Sequence, residues 1–198
     1  MRCAHTQLRQ QWTRILELLR RQLRRQRERG RSAAADAVQG FVIEEGEAEG
    51  LADELARELE LPPAPASAPP AENRAAVAWD SQHALATQDD SQPLRRVRRA
   101  FALNQSEYVA LLLASAVEVD SRFGRLIAYL NDHVGRTRPT LGLVALLAAE
   151  HAEEPPAPFA LWPERPAFHD GLLELEGDGP LPGRTVRIPL EMLARLAT

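Results

Sequence analysis

The sequence predicts a mainly α-helical domain closed by a two-stranded β-hairpin and preceded by an N-terminal helical arm, and three observations predict it. Residues 101–148 carry successive apolar stripes of helical period: Val109, Leu112, Leu113 and Ala116, then Phe123, Leu126, Ile127 and Leu130. LLELE at 172–176 and RTVRI at 184–188 alternate apolar with polar residues around the turn-forming GDGPLPG. PPAPASAPP at 62–70 cannot continue a helix and is poor in packing groups, so it separates the amino-terminal third of the chain from the rest.

The chain therefore divides into an arm at 1–61, a Pro/Ala-rich linker at 62–71 and a main domain at 72–198. In the arm, Leu8, Trp12, Ile15, Leu16, Leu19 and Leu23 trace a helical stripe through 6–24, and Leu51, Leu55 and Leu59 trace a shorter one through 48–60. Residues 1–31 hold ten arginines against Glu17 and Glu28, whereas 36–60 hold nine carboxylates against Arg57, so the two segments attract. A nucleic-acid or anionic-membrane patch is the alternative reading of RRQLRRQRERGR. A solvated helix face paired with the acidic segment is preferred, because Trp12, the only aromatic there, belongs to the apolar stripe.

In the main domain a helix is expected over 72–88, anchored by Val77, Trp79 and Leu85. Another opens at Ser91 with Pro93 in its first turn; Leu94, Val97 and Phe101 turn inward, and Arg95, Arg96, Arg98 and Arg99 form its outer face. Three core helices come next, their starts marked by Asn104 with Glu107, by Asp120, and by Thr140 after Pro139. Residues 152–168 contain five prolines and run over the surface, with Phe159, Trp162 and Phe168 as anchors. After the hairpin, Pro189 starts a last short helix with Leu190, Leu193 and Leu196 facing inward. Helix, helix, helix and hairpin is the winged-helix order.

Composition excludes several functions. All 24 basic residues are arginine, so no P-loop, which needs its lysine, can form. Cys3 is the lone cysteine, which permits no internal disulfide and fits a reducing compartment; a cytoplasmic protein is expected. No apolar run reaches the ~18–20 residues that a membrane span requires. The five histidines are scattered without metal-ligand spacing, and no G-x-S-x-G elbow occurs, so no metal, cofactor or catalytic constellation is expected.

The string NQSEYVALLLASAVEVDSRFGRLIAYLNDHVGRTRPTLGLVALL resembles the winged-helix domain found N-terminal to a group of bacterial AAA+ ATPases, some encoded with phage-tail-like contractile injection systems. GLLELEGDGPLPGRTVRIPLEMLARL resembles the same domain's wing, and D-S-R-F-G-R-L and R-P-T-L-G-L are the most specific stretches. EEPPAPFALWPERPAF is short and proline-rich beside that pattern. The resemblance implies a non-catalytic regulatory or adaptor domain that acts by protein–protein recognition. Its partner would be an AAA+ ATPase module in cis or in trans, or that motor's client. In the resembling proteins the wing leads onward to the ATPase, so a coding frame that continues past codon 198 into a P-loop would make this domain the front of a motor.

Arg95, Arg96, Arg98 and Arg99 are the candidate partner surface. The first alternative is a DNA-binding regulator, with Arg136 and Arg138 before the third core helix and Arg184 and Arg187 in the wing as phosphate contacts. Against it, the helix in the recognition position, TLGLVALLAAEH, has no arginine, asparagine or glutamine to read a base, and 94–198 carry twelve arginines against thirteen carboxylates. A coiled-coil assembly factor using the first helix, with Leu16 in its seam, is the second alternative.

Overall fold

A computed structural model of the chain describes residues 2–28, 45–61, 93–149 and 163–197. Its helices are α1 (Arg2–Glu28), α2 (Glu45–Glu58), α3 (Pro93–Ala100), α4 (Gln105–Val119), α5 (Ser121–Leu130) and α6 (Leu141–Ala149). Beyond them lie a single helical turn (Pro166–His169), strand β1 (Glu174–Glu176), a 3-10 turn (Leu181–Gly183), strand β2 (Thr185–Arg187) and α7 (Leu190–Ala197).

Short polar side chains start the core helices where the spacing predicts. Asn104 Oδ1 accepts from the Glu107 N–H at 2.8 Å, and Glu107 Oε2 accepts from the Asn104 N–H at 2.8 Å, a complete capping box. Asp120 accepts from the Arg122 N–H at 2.9 Å, and Thr140 Oγ1 from the Leu143 N–H at 3.2 Å. α4 is more than a striped helix: residues 106–116 are buried on every face. It is enclosed because α1, α5, α6 and β2 all pack on it.

α1 and α2, part of an arm by sequence, share one core with the main domain. Trp12, Ile15, Leu16, Leu19 and Leu23 pack in the same cluster as Leu112, Leu126 and Leu147. Leaving such side chains in water would cost about 1.5–3 kcal/mol each, and α4 needs a cover on its outer face. Polar bonds fix the docking: Trp12 Nε1 donates to Ser115 Oγ at 3.3 Å, and Gln26 Nε2 donates to the Leu130 carbonyl at the end of α5 at 3.2 Å. Leu16 is fully buried inside its own chain, where the coiled-coil alternative would have placed it in a seam between chains. α2 lies across α1 and α5, held by Arg20 to Asp53, Arg125 to Glu47 and Arg122 to Glu58. The linker at 62–71, the helix expected over 72–88, and Phe159 and Trp162 lie outside the described residues; Phe168 is half-buried against the core.

The hairpin pairs Glu174 with Arg187, Leu175 with Val186 and Glu176 with Thr185. A third edge joins it that the sequence does not announce. The Val186 N–H donates to the Pro139 carbonyl at 2.8 Å, and the Leu141 N–H donates to the Arg184 carbonyl at 3.0 Å, so the segment before α6 pairs with β2. Arg138 and Thr140 flank a proline, which favours the extended backbone this pairing needs. Gly142 then lets α6 approach the 3-10 turn, since a Cβ there would stand 3.1 Å from the Pro182 carbonyl oxygen.

At the carboxyl end, Leu196 is buried and Met192 and Leu193 pack on the core, but Leu190 is 79% exposed rather than turned inward. A helical face running through 192, 193 and 196 leaves position 190 on the solvent side.

Candidate interaction surfaces

The loop between α5 and α6 is built by Asn131, whose importance the sequence hides. Its Nδ2 donates to the Arg136 carbonyl at 3.0 Å and the Arg138 carbonyl at 3.1 Å, while its Oδ1 accepts from Thr140 Oγ1 at 2.9 Å. The tie holds Arg136 and Arg138 beside the wing. There Glu118, Arg136, Thr137, Arg138, Glu176 and Thr185 line an open cleft of 330 Å³.

The four arginines proposed as phosphate contacts do gather at the wing and this loop, but most of them are engaged. Arg138 reaches Glu176 at 2.8 Å and Glu118 at 3.3 Å. Arg187 donates through Nε to Glu174 at 2.6 Å and lies 3.1 Å from Glu176, and the Glu174 bond holds its guanidinium above its ordinary pKa. Arg184 Nε donates to the Gly179 carbonyl at 3.0 Å. Arg136 is exposed, with no ion pair among the described residues. Opposing carboxylates thus already occupy half of the set that would meet a phosphate backbone. α6, in the recognition position, turns Ala145, Leu146 and Ala149 to solvent and carries no polar side chain; Leu146 is 41% exposed.

A second arginine surface lies on α3. Arg96 and Arg99 are exposed and Arg95 and Arg98 half-buried, with Leu94 beneath them in the core. The Arg98 guanidinium sits 5.0 Å over the centroid of the Tyr108 ring, within cation–π range. Burial pushes the Tyr108 phenol up from its ordinary pKa, while Arg98, Arg14 and Arg95 pull it down. Arg14, which no sequence signal connects to α3, comes from α1, which packs against it.

Two further charge clusters hold the scaffold. Glu107, wholly buried, meets Arg165 Nη2 at 2.9 Å and the Ala167 N–H at 3.4 Å, so the capping box of α4 also anchors the turn that leads into the wing. Arg122 spans Asp120, 2.6 Å away, and Glu58, whose Oε1 is 3.0 Å from Nη1. Its hydrogen bonds lower the pKa of both carboxyls.

A family model described as "Winged helix domain, variant" matches residues 7–197. The chain belongs to this winged-helix family. The match begins within α1, in keeping with a winged-helix core that includes the first two helices. No curated protein and no solved structure matches the chain. Among the described residues of this winged-helix domain, no group of three His, Cys, Asp or Glu side chains is placed to hold a metal ion, and no helix is long and apolar enough to cross a membrane.

Proposed function

We propose that this winged-helix domain is a non-catalytic, cytoplasmic regulatory or adaptor module that works by recognising protein. Its partner is an AAA+ ATPase module, in cis or in trans, or that motor's client. One observation carries the protein-recognition reading: among its described residues, Leu141–Ala149, the helix in the recognition position exposes Ala145, Leu146 and Ala149, an apolar face that suits a protein and carries no group to read a base edge. The ATPase association rests on the resemblance of the D-S-R-F-G-R-L and R-P-T-L-G-L stretches to domains that precede such motors.

A DNA-binding role is the second reading, favoured by Arg136 and Arg138 lining one cleft beside the wing. It requires Arg138 and Arg187 to exchange Glu118, Glu174 and Glu176 for phosphates.

The test mixes the full chain with an AAA+ ATPase module encoded in the same frame or an adjacent gene and monitors complex formation by sedimentation. Binding that Leu146→Glu weakens by about tenfold or more is expected, the scale of a central apolar contact. Capture indifferent to Leu146→Glu removes α6 as the recognition face. Duplex DNA binding with a steep salt slope that Arg136→Ala plus Arg138→Ala abolishes would replace this reading with the DNA regulator.

A further inference from the structure

We propose that the cleft between the α5–α6 loop and the wing is a docking point for a carboxylate side chain of a partner protein, flanked there by an apolar residue. The inference rests on the protein-recognition reading and names one chemistry by which that recognition works.

The stretches D-S-R-F-G-R-L and R-P-T-L-G-L meet at this cleft. Gly124 of the first lies against the loop, where a Cβ would stand 3.3 Å from both the Cβ and the carbonyl oxygen of Thr137. The second supplies Arg138 to the cleft and, through Thr140, a bond to Asn131 that ties the loop. The loop is fixed by its own chain. Asn131 also holds the carbonyls of Arg136 and Arg138, the Gly135 N–H donates to His133 Nδ1 at 3.1 Å, and the Arg136 N–H donates to the His133 carbonyl at 2.9 Å. A loop already held in place loses little freedom when a partner binds, which favours association.

The side chains it presents are nonetheless unsatisfied. Val134 is 47% exposed, and Arg136 and Thr137 are exposed. The Arg136 guanidinium and the Thr137 hydroxyl make no hydrogen bond or ion pair among the described residues, although both residues line the cleft. The neighbouring cations are engaged, Arg138 by Glu118 and Glu176 and Arg187 by Glu174 and Glu176. Arg136 is thus the guanidinium of this cleft with its N–H edges open, and a carboxylate accepts two parallel bonds from such an edge. Thr137 adds a hydroxyl donor, and Val134, next to Gly135 of the cleft wall, offers apolar surface to the residue that flanks the carboxylate.

A single carboxylate fits this cleft better than a nucleic acid does. Glu118 and Glu176 line the same walls, and Asp132 is exposed in the loop. Duplex DNA carries one negative charge per about 1.7 Å of its axis, so a duplex that reaches Arg136 brings further phosphates against these carboxylates. One carboxylate on a peptide meets Arg136 without them. An apolar neighbour, which a phosphate backbone lacks, also gives Val134 a contact.

The experiment titrates an end-capped Ser-Leu-Glu-Leu-Ser peptide, and its Ser-Leu-Gln-Leu-Ser counterpart, into the isotope-labelled full chain and follows backbone amide and arginine Nε–H resonances by NMR at low salt. Shifts that saturate with the Glu peptide are expected at Gly135, Arg136 and Thr137, and the Gln peptide should bind about fivefold more weakly, the upper range for an exposed ion pair. Arg136→Ala should weaken the Glu peptide by about the same factor. Arg57→Ala, the same change of charge on the exposed face of α2, should alter the affinity less than about twofold. Val134→Ser touches no charge, and a loss of about threefold is expected from the missing apolar contact. All three substituted side chains are exposed, and circular dichroism melts accompany each variant.

Absence of shifts at the loop would overturn the proposal, and so would equal affinity for the two peptides. An Arg57→Ala loss equal to that of Arg136→Ala would overturn it by showing that net charge alone is sensed. Affinity unchanged by Val134→Ser would overturn the flanking apolar contact. A twelve-base-pair duplex that binds more tightly than the peptide and is lost with Arg136→Ala would reassign the cleft to nucleic acid. Leu146 does not line this cleft, so a failure here leaves the result of Leu146→Glu on α6 standing, and the two readings fail separately.

Discussion

Arg122 shows what a single side chain does here that its place in the sequence only half reveals. Asp120 two residues before it is a cap that local spacing predicts, whereas Glu58 lies 64 residues away and only the fold brings it near. The same holds for Glu107, whose capping box with Asn104 is local and legible and whose ion pair with Arg165, 58 residues on, is not. Arg122 depresses Asp120 first through its side-chain hydrogen bond, and Glu58 likewise. A carboxyl whose folded pKa lies below its unfolded one lends stability above the unfolded value, and that stability is lost as pH falls through the folded value. Stability supplied by this cluster is therefore complete above about pH 5 and declines below about pH 4. Arg122→Ala should lower the melting temperature only modestly at neutral pH, because solvent screens ion pairs that lie partly or wholly exposed. It should also flatten the further fall as pH drops below the ordinary carboxylate range, measured by circular dichroism. A variant that melts in parallel with the parent across that range would show the cluster to be idle.

Helix starts are easier to see in this chain than helix stops, and the reason is stereochemical. α2, α3 and α5 each end on a left-handed residue, yet none of the three is glycine: Glu60 has φ of 59°, Ala102 of 46° and Asp132 of 53°. The closing bonds are nonetheless the six-to-one bonds of a Schellman motif, Leu61 N–H to the Ala56 carbonyl at 2.8 Å, Leu103 to Arg98 at 2.9 Å and His133 to Ala128 at 3.1 Å. Glycine is the residue by which such stops are recognised, so the sequence gives no warning of them. The wing is legible for the opposite reason, because alternation and a Gly/Pro turn survive in Leu175 and Val186 facing each other across the pair. Its third edge at Pro139 to Leu141 is too short to form a pattern. Ala102→Gly should relieve the left-handed strain of the α3 stop. A gain of about 0.5–1 kcal/mol is expected after the greater entropy of unfolded glycine is counted. Urea denaturation measures it, and a loss of stability would mean that the Ala102 methyl group makes a packing contribution larger than the strain.

Across the whole molecule, proline punctuation and charge segregation suggest an arm, while the apolar stripe of α1 demands a partner; burial decides between them. Ile15, Leu16 and Leu19 are wholly buried, and α1 touches α2, α3, α4, α5, α6 and α7. Sequence periodicity finds the stripe but cannot say whether its partner is another chain or the later helices of its own, because both satisfy the same hydrophobic demand. Leu16→Glu separates the cases. In a coiled-coil arm it would dissolve an oligomer and leave the winged-helix core melting as before. Inside a shared core it places an unpaired carboxylate among Leu112-type neighbours, a change expected to cost more than about 4 kcal/mol, a large part of the ~5–15 kcal/mol that holds a domain together. The expected outcome is therefore one cooperative transition shifted far down in urea, with α-helical and near-ultraviolet signals lost together and no change in mass by light scattering. An unchanged melt of the core accompanied by a halved particle mass would return α1 to the role of an arm.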